Sequence, residues 1–165
     1  MDGPRILKHL FAPSAQRLFP AESLERIAAA IGASERRHAG EICFAVESAL
    51  SWQATLRGVD ARAQAVAAFS SLRVWDTAAN NGVLLYLLLA DHRIEIVADR
   101  GLTGLVSAEQ WRGVCQLMEE RLKAGEAEAA VLRGIEAVSE LLATHHPQVQ
   151  GAVDEDELPN LPRFL

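Results

Sequence analysis

The segment WDTAANNGVLLYLLLADHRIEIVADRG, residues 75–101, decides the fold of this chain. Its centre, Val83 to Ala90, is the longest apolar run in the sequence. A short continuous apolar run bounded by turn signals reads as a strand covered on both faces. Asp91 and His92 form a reversal, and Arg93 to Ala98 reads as the antiparallel partner. Asp76, Asn80 and Asn81 stand before the first of these strands, and Asp99 and Arg100 stand after the second. Opposite strand directions bring both groups to one end of a sheet.

Upstream, EICFAVE (Glu41 to Glu47) has Ile42, Phe44 and Val46 on one face and the uncharged Cys43 and Ala45 on the other. That pattern marks a second strand covered on both sides. Asp60 is an N-cap for the helix ARAQAVAAFSSLRV, whose Val66, Phe69 and Leu72 are expected to point inward. A helix joining two strands of one sheet makes them parallel, with a right-handed crossover. The stretch SALSWQATLRG, residues 48–58, shows no decisive pattern.

Pro20 opens an earlier helix, with Glu22 and Glu25 in its first turn, where the dipole favours anions, and Leu24, Ile27, Ala28 and Ile31 at helical spacing. Gly40 ends that segment. Downstream, Ser107 and Gln110 have capping-box spacing ahead of a helix bearing Trp111, Val114, Cys115, Met118 and Leu122. Gly125 stops it, and a last helix runs from Glu126 to His145 with Val131, Ile135, Val138, Leu141 and Leu142 inward. The expected fold is a three-layer α/β/α sandwich with a small mixed β-sheet flanked by helices. Residues 1–19 read as an N-terminal extension, 20–147 as the domain, and 148–165 as an acidic, proline-punctuated flexible tail.

Bulk properties narrow the function classes. The chain has 165 residues, 50% of them hydrophobic and 23% charged, as in one soluble globular domain. A formal net charge of −6 gives little support to nucleic-acid binding. Cys43 and Cys115 lack the spacing of a zinc site or disulfide framework and are expected to be reduced, buried thiols. The first twenty residues lack a long apolar core, and no run approaches transmembrane length, so a cytoplasmic protein with no transmembrane segment is expected. Ile6, Leu7, Leu10 and Phe11, beside Arg5 and Lys8, are expected to cover part of the domain's own core; contact with a membrane surface or a partner is the alternative.

The strand directions gather the candidate site. Asp76, Asn80, Asn81 and Asp99 supply oxygens suited to a hard cation such as Ca2+ or Mg2+. His38 and Glu41, at the start of the parallel first strand, and Arg100 join them as binding residues. The structural alternative is that Asn-Gly and Asp before strands are ordinary turn residues. The opposite end of the sheet carries Glu47, Asp91 and His92, a rival site by the rule that ligands gather at the carboxyl ends of parallel strands. Asp91 and His92 are read more simply as solvated hairpin-tip residues. His145 and His146 end a helix, where a cation favours the dipole. Ser70 and Ser71 lack the glycines of a nucleophile elbow, and neither a Walker motif nor GxGxxG occurs.

Asn80-Asn81-Gly82, the run Val83 to Leu89, the turn at Asp91 and His92, and Gly101-Leu102 together resemble the core of the TPM domain family. These are the thylakoid acid-phosphatase-like domains also found in many bacterial proteins, and the resemblance covers roughly residues 20–146. It implies an α/β/α sandwich. In some relatives it implies divalent-cation binding, notably calcium, and phosphatase activity. In others it implies assembly or repair of membrane complexes without an established reaction. This sequence departs from the pattern at Thr103 and Gly104, where the family usually has Glu-Gly, and at Ala108, where a carboxylate is often found. Two functional expectations follow. In one, a cation held by Asp76, Asn81 and Asp99 polarises a phosphoryl oxygen, and Arg100 neutralises another. In the other, the domain is a non-catalytic interaction module acting with a membrane-associated partner.

Overall fold

The computed structural model describes residues 3–149 and 157–165. Its centre is a sheet of β1 (Glu41–Glu47), β2 (Gly82–Leu88), β3 (Arg93–Ala98) and β4 (Arg163–Phe164), in the order β3-β2-β1-β4. β1 and β2 run parallel, with Glu41 opposite Gly82 and Glu47 opposite Leu88. β3 returns antiparallel, with Val83 opposite Ala98. All residues of β1 and β2 are buried, as their two-sided apolar character requires.

Period-two alternation distributes the strands between two cores. Ile42, Phe44, Val46, Val83, Leu85 and Leu87 pack with residues of α3 (Ala21–Glu35), α6 (Ala108–Lys123) and α7 (Ala127–His145). Cys43, Ala45, Leu84, Tyr86 and Leu88 face α5 (Ala61–Ser71) on the other side. The three-layer sandwich is therefore the observed architecture.

Local signals act where they stand in the sequence. Asp60 accepts the Ala63 N–H and caps α5, while Ser107 and Gln110 form a reciprocal capping box on α6. Gly125 ends α6 with φ 81°, a left-handed conformation that costs glycine little. The undecided stretch 48–58 contains a short helix, α4 (Trp52–Leu56), with the Ser51 hydroxyl accepting the Ala54 N–H. Within α5 the inward residues are Ala61, Ala65 and Ala68, with Phe69 and Leu72 partly buried. Val66, expected to point inward, is 45% exposed. The small alanine face lets this helix lie close against Leu84 and Tyr86.

The expected boundaries do not coincide with structural breaks. α1 (Gly3–Leu10) and α2 (Ala15–Leu18) precede residue 20, yet Ala15 and Phe19 are buried in the core. The Phe19 ring meets Phe44 edge-on at 5.6 Å between centroids. Residues 157–165, expected to form part of a flexible tail, return to the sheet: β4 pairs in parallel with β1 at Ala45 and Val46, and Leu158 is buried. The physical reason is the outer edge of β1, whose backbone groups need partners. Residues 150–156 of that expected tail lie outside the described residues. At the opposite sheet edge Arg62 donates to the Ile96 carbonyl of β3, occupying an edge acceptor.

Leu7, Leu10 and Phe11, expected to cover core, are exposed, and Ile6 alone of that group is partly buried. Cys43 is buried and Cys115 partly buried, both as free thiols, and burial pushes each thiol up to about 11. No described helix is long and apolar enough to cross a membrane.

Candidate functional site

The candidate rim is built by the turn from α5 into β2 and by the exit from β3. Asn80 adopts φ 52° and donates its N–H to the Thr77 carbonyl at 3.2 Å; the next N–H, of Asn81, meets Thr77 Oγ1 at 3.1 Å. Asn tolerates the left-handed region better than most residues. At Gly82 a Cβ would lie 2.0 Å from the Val74 carbonyl oxygen, so the backbone passes where no other residue fits. Asp99 donates its N–H to the Gly82 carbonyl at 2.9 Å, which sets it beside the start of β2.

Each expected site residue has a definite place. Asn81 is buried and donates Nδ2 to the Ala39 carbonyl at 2.7 Å, while its Oδ1 is buried without a hydrogen bond among the described residues. Asp99 Oδ1 accepts the Arg100 N–H at 2.7 Å and caps the 3-10 turn Arg100–Leu102. Its Oδ2 is also buried without a hydrogen bond. Asn80 Oδ1 accepts from Arg100 Nε at 2.9 Å, so that oxygen is taken by a cation of the protein itself. Asp76 is exposed and ion-paired with Arg73 at 3.0 Å. Glu41 is buried, and its carboxylate receives the N–H groups of Glu157 and Leu158 at 3.4 and 3.3 Å, tying the returning chain to β1. His38 is fully buried beside its backbone bridge to Pro147.

The topology thus places Asn80, Asn81, Asp99 and Arg100 on one rim, while Asp76 and Glu41 have local tasks. Among the described residues no group of three His, Cys, Asp or Glu side chains stands close enough to hold a metal ion. Among the residues of this rim, Asn81 Oδ1 and Asp99 Oδ2 are the buried oxygens without a hydrogen bond. Hard cations accept both donor types, with water completing the shell.

The TPM domain profile matches residues 14–141. The chain belongs to the TPM domain family. The match begins at Ser14, ahead of the expected boundary at residue 20, and leaves α1 and β4 outside it. The chain is also similar to the BA42 protein of the psychrophilic bacterium Bizionia argentinensis, whose structure was determined by NMR. The two share 27% sequence identity and a TM-score of 0.76, over 92% of this chain and 98% of that one. No curated protein matches the sequence.

At the opposite end of this TPM domain lies a polar network that sequence reading did not assemble. Asp91, expected as a solvated hairpin-tip residue, is largely covered by α1. Arg5 Nη2 donates to Asp91 Oδ2 at 2.7 Å and to the Val59 carbonyl at 2.8 Å. His9 is buried, and its Nδ1 accepts the Leu50 N–H at 3.0 Å. The other ring nitrogen, Nε2, therefore holds the proton and donates it to Asp91 Oδ1 at 3.2 Å. Burial pushes the Asp91 carboxyl up, but the hydrogen bonds and charge of Arg5, aided by His9, leave it below its ordinary value. Alongside, Glu47 accepts from the Tyr86 hydroxyl at 2.6 Å and from Gln64 at 3.0 Å. Burial, reinforced by Glu47, pushes the Tyr86 hydroxyl up. The signal for this network was Arg5 and His9 one helical turn apart, on one face of α1. His92, by contrast, is exposed at the hairpin tip as expected, with φ 49°.

Proposed function

We propose that this TPM domain is a binding module that takes one divalent cation of the calcium class at the amino end of β2, through Asn81 Oδ1 and Asp99 Oδ2. The observation carrying this reading is that both oxygens are buried without a hydrogen bond among the described residues. A buried acceptor with no donor costs about 1–3 kcal/mol, and a cation removes that cost. One carboxylate and one amide make a weak site, with Kd on the order of 10⁻⁴–10⁻³ M. Arg100, held by Asn80, sets a positive group beside the same rim and would draw an anionic group of a partner to it.

Binding is favoured over hydrolysis by the occupation of the other carboxylates. Asp76 is paired with Arg73, and Glu41 receives two backbone N–H groups. Neither stands ready to take a proton from water, as a general base must.

Calorimetric titration and thermal unfolding with calcium test the reading. At ~5 mM calcium the wild-type Tm rises by mass action, and Asp99→Asn, which keeps an oxygen for the cap, abolishes the rise. Absence of both heat and Tm shift in the wild-type chain at that concentration would overturn it.

A further inference from the structure

We propose that the end of the molecule formed by α1, α2 and α4 docks peripherally on an anionic lipid bilayer. Two features coincide there. The first is apolar exposure. Arg5 and His9 turn inward to Asp91, leaving Leu7, Lys8, Leu10 and Phe11 on the outward side of α1. Phe11 is 80% exposed and Trp52, on the neighbouring α4, 64%; Leu18 and Leu56 are exposed beside them. Hydrogen bonds from Leu50 to His9, from Ala15 to Ser48 and from Arg5 to Val59 join these segments into one surface.

The second feature is charge. Residues 3–20 and 48–58 contain no Asp or Glu, in a chain where 22 of 165 residues are acidic and the net charge is −6. At that average frequency these stretches would carry about four acids. Instead they carry Arg5, Lys8, Arg17 and Arg57. Of the acids nearby, Asp91 is paired with Arg5, and Glu47 is buried beneath Tyr86 and Gln64. Among the described residues Lys8, Arg17 and Arg57 form no ion pair.

A surface built from segments that carry four cations and, among the described residues 3–20 and 48–58, no acid, with projecting Leu, Phe and Trp, has the chemistry of an interfacial anchor. The apolar groups enter the headgroup boundary, aromatic rings sit at its level, and the cations meet lipid phosphates. A second copy of this chain fits poorly, because a self-complementary contact would oppose Lys8, Arg17 and Arg57 to the same cations of the other copy. The docking end lies at the carboxyl ends of β1 and β2, so the rim of Asn81 and Asp99, at their amino ends, faces away from the lipid.

Sedimentation with vesicles tests this, with chelator present so that the cation reading plays no part. Vesicles of phosphatidylcholine mixed with phosphatidylglycerol pull down the full chain, pure phosphatidylcholine does not, and about 0.5 M salt weakens the binding. Leu10→Asp/Phe11→Asp and Lys8→Glu/Arg57→Glu each reduce it at least ~10-fold. Leu105→Asp, at an exposed apolar residue elsewhere, leaves it unchanged. Circular dichroism confirms that the variants, all at exposed positions, are folded. Failure to sediment with either vesicle overturns the proposal, as does binding that both double variants retain. Capture of an acidic protein by the wild type and not by Leu10→Asp/Phe11→Asp, without vesicle binding, assigns the face to a protein and overturns the lipid assignment.

Discussion

The backbone N–H of Gly101 meets the Asn80 carbonyl oxygen at 2.8 Å, and a Cβ at Gly101 would stand 2.4 Å from that same oxygen. The Asn-Asn-Gly turn and the Gly-Leu turn are thus two halves of one interlock. Asn80 supplies the left-handed residue, and Gly82 and Gly101 supply the space. A methyl group at either glycine strikes backbone, which has less freedom to yield than the end of a side chain.

Gly82→Ala and Gly101→Ala are therefore expected to lower stability by ~2–4 kcal/mol each, Gly82→Ala more, since its Cβ would lie 2.0 Å from the Val74 oxygen. Gly113→Ala provides the contrast. Gly113 lies inside α6 with nothing within 4 Å of an added Cβ, and alanine there raises helix stability by ~0.5–1 kcal/mol. Urea unfolding of the three variants measures these differences. Equal effects at Gly101 and Gly113 would refute the interlock.

The sheet centre was legible in the sequence because its determinants are local. The run Val83 to Ala90, the reversal at Asp91 and the apolar faces of β1 fix strand order and direction without distant information. The caps at Asp60 and Ser107 were legible for the same reason, each bonding to a residue three positions on. β4 was not, because Arg163 and Phe164 carry no periodic pattern and pair only because β1 offers an edge. Val66 was misjudged because hydrophobicity alone does not reveal that α5 approaches the sheet through alanines. At the rim, topology set the turn at Asn80 and Gly82 beside the chain at Asp99 and Gly101, but spacing could not show that Asp76 turns to Arg73 or that Glu41 serves residues 157 and 158.

Removal of residues 157–165 tests the returning strand. It strips the outer edge of β1, takes Leu158 out of the second core and strands the buried Glu41 carboxylate without its two N–H donors. Burial of one leucine is worth ~1.5–3 kcal/mol, and the loss of two N–H bonds to a buried carboxylate adds to it. Tm is expected to fall, and the bared edge to promote self-association measurable by light scattering. An unchanged Tm would mean that this segment contributes nothing to the domain.

The pairing of α1 with Asp91 predicts an acid transition. Asp91 titrates below its ordinary value in the folded protein, so its stabilising contribution is complete above the unfolded carboxyl pKa of about 4. As pH falls through the lower folded value, the carboxylate is protonated and that contribution is lost. Arg5 and His9 Nε2 then face an uncharged acid, the ion pair with Arg5 is lost, and α1 detaches. Asp91→Asn mimics the protonated state at neutral pH, and ~1–2 kcal/mol of local stability should disappear with it. Limited proteolysis reads the effect directly: cleavage between α1 and α2 is expected to accelerate in Asp91→Asn at pH 7 and in the wild type below pH ~4. If cleavage in the wild type is independent of pH while Asp91→Asn is cleaved faster, the shape of the hydrogen bonds rather than the charge of Asp91 holds the helix.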